Sequence, residues 1–412
     1  MAEQIFQLME EERRRQQETL MMIPSENYAS KNVLKALGSA LQNKYAEGYP
    51  GRRYYQGQAF VDQVETLAIS RAKKLFGVPH VNVQPYSGSP ANAAVYFSLL
   101  EPGEKIMGLD LSSGGHLTHG HPKITFSGKY FKSVPYQVDK EGLINYSKLE
   151  KLALKEKPKI IIAGTTSYSR TLDFSRFSRI ADRVGAYLLA DIAHIVALVI
   201  AGTHPSPVAH ADIITTTTHK SLRGPRGAMI LVTKKGLVKD KDLAKKIDRG
   251  VFPGLQGGPH INNIAAIAVA LKEAQSTSFR KYGQQIVDNA YFLAQKLMDF
   301  DFNIVSGGTD NHLMVIDLRN KGLDGKKAAL ILEKAGIVVN ANSVPHDPRP
   351  PMKPSGIRLG TPALTSRGMK KDQMGEIAQW INMVITDRIS PDKVRKEVGV
   401  LTKQFPVFSL AK

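Results

Sequence analysis

The chain has 412 residues and a formal net charge of +19, with 56 Lys plus Arg against 37 Asp plus Glu. Its length allows about two or three domains, and its hydrophobic fraction of 42% is typical of a globular protein. The absence of cysteine excludes disulfides, cysteine metal ligands and thiol nucleophiles.

Short apolar strands alternate with amphipathic helices along residues 1–271. The charged N-terminal stretch lacks the apolar core of a secretion signal, so we expect a cytoplasmic protein. The spacing of apolar residues predicts helices over 61–77, 89–100 and 175–185, and strands over 80–85, 104–110, 159–164, 186–191 and 211–218. This alternation predicts an α/β fold in which helices cover both faces of a mostly parallel central sheet.

The longest apolar stretch covers residues 185–202, but Asp191 and His194 interrupt it. Because a membrane-spanning helix needs about 18 or more apolar residues, this stretch predicts a buried parallel strand that leads into a packed helix. We therefore expect no membrane span. The basic run at 234–249 also carries three aspartates and predicts a solvated helix.

The pattern changes from about residue 272. A long helix is predicted over 278–300, followed by strands over 312–318 and 336–342 and by a helical C-terminal region. We therefore predict two domains. Residues 1–271 would form an N-terminal arm and a large domain, and residues 272–412 a smaller α+β domain.

Two strand ends carry chemically distinctive residues. Four threonines, Thr215 to Thr218, favour a strand, and His219 and Lys220 follow where that strand ends. Asp191 ends another predicted strand, at the edge where open α/β sheets bind ligands. A carboxylate there needs a cationic partner, which could be a structural ion pair, a helix start or the protonated nitrogen of a heterocycle.

The segment Ser87-Gly88-Ser89 lies between a predicted strand and a predicted helix. Glycine permits close backbone approach, and free N–H groups at a helix start attract phosphate, although an ordinary helix cap would have the same pattern. Together, a phosphate cradle, a strand-end aspartate and a strand-end lysine are typical of a pyridoxal phosphate site. There lysine forms a Schiff base and aspartate holds the pyridinium.

With these motifs the sequence resembles the serine hydroxymethyltransferase family from about residue 3 to near the C-terminus. The resemblance rests on PSENY, NKYAEGYPGRRYY, VQPYSGSPAN, GGHLTHG, ADIAH, TTTTHKSLRGPRG, FPGLQGGPH, VSGGTDNHL and SGIRLGTPA. It implies the fold type I of pyridoxal-phosphate-dependent transferases. It also implies reversible conversion of L-serine and tetrahydrofolate to glycine and 5,10-methylenetetrahydrofolate. A homodimer with shared active sites, or a tetramer of such dimers, is expected.

The resemblance assigns Lys220 to the covalent bond with the cofactor, Asp191 to its pyridine nitrogen and His116 to stacking on its ring. Thr166 stands where serine is usual, beside the phenolic oxygen. The implied cofactor-binding residues are Ser87, Gly88, Ser89, His116, Thr166, Asp191, His219, Lys220, Gly257 and Gly258. No metal site is expected.

For the substrates, the resemblance implies that Arg358 binds the serine carboxylate with two parallel hydrogen bonds. Glu47 would move protons and contact the folate, and its loop would reach the neighbouring subunit's site together with Gly257-Gly258. The implied catalytic residues are Lys220, Glu47, His194 and Tyr55. The implied substrate-binding residues are Ser25, Tyr45, Glu47, Tyr54, Tyr55, Arg226, Asn342 and Arg358.

Four positions depart from the family's usual pattern: Pro24 where a small residue is usual, Val196-Ala197 where a small residue and glycine are usual, and Ala341 where lysine is usual. Ala341 keeps open a folate-independent aldolase of the same fold that cleaves β-hydroxy amino acids such as threonine. The +19 charge keeps open a polyanion- or RNA-binding protein, although no RRM, KH or zinc-finger pattern is present.

Overall fold

A computed structural model of the protein describes residues 3–407. Its helices are α1 (Gln4–Glu18), α2 (Lys31–Leu37), α3 (Ala59–Phe76), α4 (Gly88–Leu99), α5 (Phe126–Tyr130), α6 (Tyr146–Glu156), α7 (Phe174–Val184), α8 (Val196–Ala201), α9 (Lys234–Lys239), α10 (Leu243–Arg249), α11 (Ile261–Ala274), α12 (Thr277–Asp299), α13 (Gly325–Lys334), α14 (Pro362–Ser366), α15 (Lys371–Ile385) and α16 (Pro391–Gln404). Its strands are β1 (Leu20–Met21), β2 (Gly48–Tyr49), β3 (Arg52–Arg53), β4 (His80–Asn82), β5 (Lys105–Leu109), β6 (Lys132–Tyr136), β7 (Ile160–Gly164), β8 (Tyr187–Asp191), β9 (Ile213–Thr217), β10 (Ala228–Val232), β11 (Asn303–Ile304), β12 (Leu313–Asp317), β13 (Ile337–Val338), β14 (Asn340–Asn342) and β15 (Gly356–Gly360).

The central sheet has seven strands in the order β4-β10-β9-β8-β7-β5-β6. The five strands from β9 to β6 run parallel, whereas β10 is antiparallel to both β9 and β4. Parallel strands place their carboxyl ends at one edge, so the residues that follow β5, β7, β8 and β9 meet there. The predicted mostly parallel sheet is confirmed.

Helices cover both faces of this sheet. Along β7, Ile161 and Ala163 belong to a core shared with α3, α7, α8 and α11, whereas Ile160 and Ile162 belong to a separate core with α4 and α10. Alternate residues of a strand point to opposite faces, so both faces exclude water. This two-sided burial explains why the parallel strands are continuously apolar instead of alternating with polar residues.

A second sheet lies C-terminal to the first and is antiparallel, in the order β11-β12-β15-β14. Its core contains Ile316 and Leu359 from the sheet, together with Leu293 from the long helix α12 and Ile377 from α15. Helix α12 begins where the hydroxyl of Ser276 accepts the N–H of Phe279, which satisfies one free donor of the first turn.

The N-terminal segment packs against this second unit. Strand β1 pairs in parallel with β13, where Leu20 lies opposite Ile337. The buried guanidinium of Arg367 donates to the carbonyls of Gln17 and Thr19 on one side and to that of Thr402 in α16 on the other. These hydrogen bonds join the two ends of the described chain.

Three details differ from the sequence predictions. The strand predicted over 336–342 is two strands, because β13 pairs with β1 while β14 pairs with β15. The solvated helix predicted over 234–249 is two helices, α9 and α10, and Leu243 and Ile247 of α10 are fully buried against the sheet. Strands β6, β10 and β15 had no counterpart among the predicted strands.

Across residues 3–407, every helix is too short or too polar to cross a bilayer. The first two and last five residues of the two predicted domains fall outside the described range.

Candidate active site

One cavity of about 260 Å³ lies at the carboxyl edge of the central sheet. It is lined by Ser87, Gly88, Ser89, Asn92, His116, His119, Thr165, Thr166, Asp191, Ala193, His194, Thr217, His219, Lys220 and Arg226. Ten of these residues were predicted from the sequence for the cofactor, the substrate or catalysis. Most of these residues follow β4, β5, β7, β8 and β9. This placement is expected because open α/β sheets bind ligands at the carboxyl ends of their strands.

Lys220 lies three residues beyond the end of β9, and its Nζ atom donates to the hydroxyl of Thr217 at 3.1 Å. No carboxylate lies within 4 Å of this amine among the described residues. Burial lowers the pKa of Lys220 from 10.5 to about 8, although the charge of Asp191 opposes part of that shift. The amine can therefore become a neutral nucleophile near physiological pH.

Asp191, the last residue of β8, is held by a hydrogen-bond network. Its Oδ2 atom accepts from His119 and from Asn92, each at 2.9 Å, and its Oδ1 atom accepts from the backbone N–H of Ala193. Burial alone would raise the pKa of Asp191, but the hydrogen bonds from His119 and Asn92 and the adjacent histidines hold it well below its usual value. The carboxylate therefore stays ionised and can hold a proton on a cationic nitrogen.

The predicted phosphate cradle is the segment Ser87-Gly88-Ser89. Ser87 caps the N-terminus of α4 without a side-chain hydrogen bond to the helix. Its hydroxyl and the free N–H groups of the first turn remain for an anion. Gly88 is required here because a Cβ atom at that position would lie 2.7 Å from Cγ2 of Thr217. The segment therefore packs directly on the strand that leads to Lys220.

His116 and His219, which line the cavity, are neutral. Burial lowers the pKa of His116 to about 4 and that of His219 to about 3. The Nδ1 atom of His116 is 2.7 Å from the hydroxyl of Thr118, which fixes the ring, whereas the buried Nδ1 atom of His219 has no partner within the described chain. A neutral, oriented ring is suited to stacking against a flat heterocycle.

Arg358 on β15 lies beside the cavity without lining it. Its Nη1 atom donates to the carbonyl of Thr166 at 2.6 Å, and its Nε atom donates to the side chain of Asn340 at 3.0 Å. Burial lowers the pKa of Arg358 to about 10, yet no acidic residue among those described forms an ion pair with it. A half-buried guanidinium without a carboxylate partner is suited to bind an anionic substrate group.

Thr166 lines the cavity and also contacts Arg358, which lies beside it. Its hydroxyl donates to the carbonyl of Gly115 at 2.8 Å, while its own carbonyl accepts from Arg358. The hydroxyl has a single proton, which is donated to Gly115. It can donate to the phenolic oxygen of a ligand only if it releases the carbonyl of Gly115.

The predicted residues Tyr45, Glu47, Tyr54, Tyr55, Gly257 and Gly258 do not line the cavity. They form a separate surface patch, in which the three tyrosines are exposed and Glu47, Gly257 and Gly258 are half-buried. The hydroxyl of Tyr45 is 3.2 Å from Oε1 of Glu47, and the Tyr45 and Tyr55 rings meet edge to face. A Cβ atom at Gly257 would lie 3.1 Å from Oε1 of Glu47, so the two loops touch.

A buried polar network holds this patch in place. Arg53 forms a 2.6 Å ion pair with Glu65 of α3, and Glu65 in turn accepts from Gln84. The carbonyl of Gln84 accepts from Gln256, which directly precedes Gly257. The same network therefore supports the tyrosine-rich loop, the glycine pair and the strand end that leads to the cradle.

The comparisons with known proteins agree with this geometry. The sequence model of the family described as Serine hydroxymethyltransferase matches residues 1–381. The chain belongs to the serine hydroxymethyltransferase family. This membership confirms the predicted fold type I, the pyridoxal-phosphate-dependent hydroxymethyltransferase activity and the use of tetrahydrofolate as co-substrate.

Relatives named Serine hydroxymethyltransferase match nearly the whole chain. The protein of Desulfotalea psychrophila is 54% identical over 406 residues, which cover 98% of this chain and 94% of that protein. That of Acidothermus cellulolyticus is 55% identical over 399 residues, covering 94% and 92%. That of Legionella pneumophila strain Corby is 54% identical over 409 residues, covering 98% and 97%.

The cavity of this hydroxymethyltransferase fits pyridoxal phosphate. The cradle at Ser87 to Ser89 matches a phosphate, the ionised Asp191 matches a pyridinium nitrogen, and the amine of Lys220 matches an aldehyde. The close contact between Gly88 and Thr217 sets the cradle and the lysine-bearing strand at a fixed separation.

The departures from the family pattern are accommodated locally. Val196 and Ala197 are fully buried in α8, which fits closely against α12 because residue 283 is glycine. Pro24 packs on Gly360, two residues beyond Arg358. Ala341 pairs with Ile357, whereas Asn340 pairs with Arg358, so Ala341 lies on the strand face opposite to the Arg358 contact.

Two further predicted residues lie outside the cavity. The side chain of Asn342 donates to the carbonyl of Ser343, and Ser25 is partly buried beside Pro24. Conversely, Asn92 and His119, the two side chains that donate to Asp191, were not among the residues predicted from the sequence. Both belong to motifs that carried the resemblance, VQPYSGSPAN and GGHLTHG, but neither had a distinctive signal of its own.

Proposed function

We propose that the cavity around Lys220 is where this serine hydroxymethyltransferase binds pyridoxal phosphate and converts serine. The observation that carries the proposal is the amine of Lys220, whose pKa is lowered to about 8, in one cavity with the ionised Asp191. When bound, pyridoxal phosphate supplies an aldehyde that bonds to amines and a ring that accepts the electron pair left by cleavage at the substrate α-carbon.

The protein's part in this reaction is binding, orientation and proton control. Ser87, Ser89 and the free N–H groups of α4 would hold the phosphate, and Asp191 would keep a proton on the pyridine nitrogen. His116 would orient the ring, and His194 would face the substrate hydroxyl. The neutral amine of Lys220 would bond to the cofactor and be released when the amine of serine takes its place.

Arg358 would bind the carboxylate of serine. Among the described residues its Nε and Nη1 atoms have partners and its Nη2 atom has none. Nη2 can therefore meet one carboxylate oxygen, and Nη1 has a second N–H for the other. This contact would orient the substrate so that the bond to be broken is aligned with the ring, and it would recognise amino acids over amines.

We further propose that the surface patch of Tyr45, Glu47, Tyr54, Tyr55 and Gly257-Gly258 completes the active site of a second copy of this chain. In support, none of these residues lines the cavity of its own chain, and the three tyrosine rings are 57%, 69% and 47% exposed. Large exposed aromatic rings are typical of surfaces that are covered in an assembly.

The alternative function, an aldolase of the same fold, would cleave β-hydroxy amino acids without folate. Position 341 faces away from Arg358, so the loss of lysine there leaves the carboxylate contact intact and concerns only groups on the other strand face. The whole-length match to the family favours the folate-dependent reaction. Nothing comparable in the described residues favours RNA as the main ligand.

Visible spectroscopy tests the cofactor proposal. Adding pyridoxal phosphate to the cofactor-free protein should give an absorption band, and borohydride should then fix the cofactor covalently. The Lys220→Ala variant should bind the cofactor without covalent attachment. Lys235, which is held by Asp182 and Ser178 outside the cavity, provides the control, because Lys235→Ala should behave as the unmodified protein. Covalent trapping in Lys220→Ala would assign the bond to another amine.

The reaction itself is tested by serine cleavage with and without tetrahydrofolate. If the reaction depends on folate, serine should be converted rapidly only when tetrahydrofolate is present. Equal rates in its absence would favour the aldolase.

A further inference from the structure

His194 and His312 form a buried pair that joins the two sheets. His194 follows β8 and lines the cavity, and His312 directly precedes β12. The Nδ1 atom of His194 lies 3.3 Å from the Nε2 atom of His312, and the two rings are only 6% and 0% exposed. The backbone carbonyl of His312 accepts from the backbone N–H of Thr361, which holds the main chain of His312 in the C-terminal unit.

Both rings are neutral. Burial lowers the pKa of His312 to about 3 and that of His194 well below 6.5. The positive charges of Lys220 and Arg358 also lower the pKa of both rings. His312 and His116 act in the same direction on His194, and His204 does so on His312. Two neutral rings in contact share a single proton in the N···N hydrogen bond, so one ring donates and the other accepts.

The other ring nitrogen of His312 decides which ring donates. Its Nδ1 atom is buried and has no hydrogen-bond partner among the described residues. If His194 donated, His312 would carry its proton on this Nδ1 atom, which would be a buried N–H without an acceptor. If His312 donates from Nε2, its Nδ1 atom carries only a lone pair. Buried N–H groups without acceptors are rarer in native proteins than unsatisfied acceptors, so the second arrangement is favoured.

We propose that His312 is a positioning residue that holds His194 in the tautomer with its proton on Nε2. The Nδ1 atom of His194 is engaged by His312, so Nε2 is the nitrogen left for the cavity that His194 lines. His194 therefore presents a hydrogen-bond donor to the reacting oxygen atoms. This inference rests on the proposed site, because it assigns the direction of a contact that His194 makes there.

The consequence concerns proton transfer. A neutral ring with its proton on Nε2 stabilises an oxygen that gains negative charge, but it cannot take a proton at that nitrogen. The group that removes the proton from the serine hydroxyl must then be another residue. His312 touches neither cofactor nor substrate in this scheme and acts only through His194.

The tautomer can be measured directly in the holoenzyme. Labelling the 11 histidines with ¹⁵N and recording long-range ¹H–¹⁵N spectra distinguishes protonated from bare ring nitrogens. The His194 signals are identified by their loss in His194→Gln. We expect His194 to carry its proton on Nε2 and to remain neutral over the pH range of activity. A proton on Nδ1 of His194 would overturn the proposal even if the enzyme is fully active, and this readout does not depend on the reaction being the proposed one.

Substitutions test the effect on turnover. His312→Leu removes the donor, whereas His312→Gln keeps an amide N–H near the same place. We expect kcat for serine to fall roughly tenfold in His312→Leu, the usual effect of one lost hydrogen bond, and to recover largely in His312→Gln. The Michaelis constant for serine and the cofactor absorption band should change little in either variant.

His204 supplies the matched control. It is also buried and hydrogen-bonded, with Nδ1 at the carbonyl of Pro205 and Nε2 accepting from Leu172, but it does not line the cavity. His204→Leu should lower the melting temperature while kcat stays within about twofold, because the tautomer of His194 is unaffected. Equal losses of kcat in His204→Leu and His312→Leu, or no loss in His312→Leu, would contradict a positioning role.

Discussion

The Nε2 atom of His119 lies 2.9 Å from the Oδ2 atom of Asp191, in a contact enclosed at the end of β8. The Nδ1 atom of His119 accepts the backbone N–H of His116, so the proton of a neutral His119 is on Nε2 and is donated to the carboxylate. Together with Asn92, this donor keeps Asp191 ionised despite its burial.

Removing the His119 donor should weaken the interaction of Asp191 with the cofactor. We expect His119→Leu to lower activity about 10- to 150-fold, because a hydrogen bond to a buried charge contributes about 1.5–3 kcal/mol. The charge of Asp191 is lost as the pH falls through its pKa, and this pKa rises in the variant. Acid release of the cofactor should therefore begin at a higher pH, as followed by absorbance. His119→Gln, which keeps an N–H, should be intermediate, and an unchanged acid profile in His119→Leu would contradict the role.

Cofactor attachment should depend on pH through Lys220. The neutral amine is the nucleophile, and burial lowers the pKa of Lys220 to about 8. In the cofactor-free protein, the attachment rate should rise with pH and level off above a midpoint of about 8. Because Asp191 opposes the shift, Asp191→Asn should move the midpoint to lower pH. A rate that continues to rise steeply towards 10.5 would show an ordinary lysine.

Substrate binding should depend on the planar guanidinium of Arg358. In Arg358→Lys we expect the Michaelis constant for serine to rise about 10-fold or more, because one ammonium cannot reproduce two parallel hydrogen bonds. Arg367 is buried, and within residues 3–407 it donates to backbone carbonyls outside the cavity. Arg367→Lys should therefore lower thermal stability and leave the Michaelis constant unchanged. If both variants bind serine normally, Arg358 has no carboxylate role.

Two inactive variants should complement each other if active sites are shared between copies. In a mixed dimer of Lys220→Ala and Glu47→Gln, one site collects both changes and the other receives an intact Lys220 and an intact Glu47. Random pairing makes half of the dimers mixed, so roughly a quarter of all sites should recover after co-refolding.

The matched control replaces Glu47→Gln by Asp191→Asn. Asp191 and Lys220 line one cavity of the same chain, so every site in that mixture keeps one defect and activity should not recover. Absence of recovery in the first mixture, with mixed dimers verified by native mass spectrometry, would place Glu47 in its own chain's site or outside the site.

Helices α8 and α12 pack closely at Gly283. A Cβ atom added at this position would overlap the Cβ atom of Ala201. We expect Gly283→Ala to lower the free energy of unfolding by about 1–3 kcal/mol, the usual effect of overpacking. Gly375 lies in helix α15, where a Cβ atom would meet only Phe292 at 3.7 Å. Gly375→Ala should be neutral or stabilise by about 0.5–1 kcal/mol. Chemical denaturation of both variants distinguishes these outcomes.

Several expectations stay predictions. The homodimer, the cytoplasmic location, the division into domains near residue 271 and the role of each site residue are of this kind. The complementation experiment addresses the first of these, and the variants above address the roles of Lys220, Arg358 and Glu47.

Local sequence signals were sufficient to predict the strands β5, β7, β8 and β9 and the strand-end residues Asp191 and Lys220. Runs of β-branched and apolar residues with glycine or proline beyond them are local signals, and the carboxyl ends of parallel strands must meet at one edge. Strands β6, β10 and β15 were missed because short apolar runs beside proline or glycine have no distinctive local period.

Contacts between residues distant in the chain could not be predicted from local sequence. Nothing local to 336–342 indicates that its first half pairs with residues 20–21 and its second half with β15. The same holds for the contacts of His119 with Asp191, of Asn340 with Arg358 and of His312 with His194, which join residues 72, 18 and 118 positions apart. Such pairs form because packing of the two cores brings their backbones together, and that packing depends on the whole chain, not on any one window of sequence.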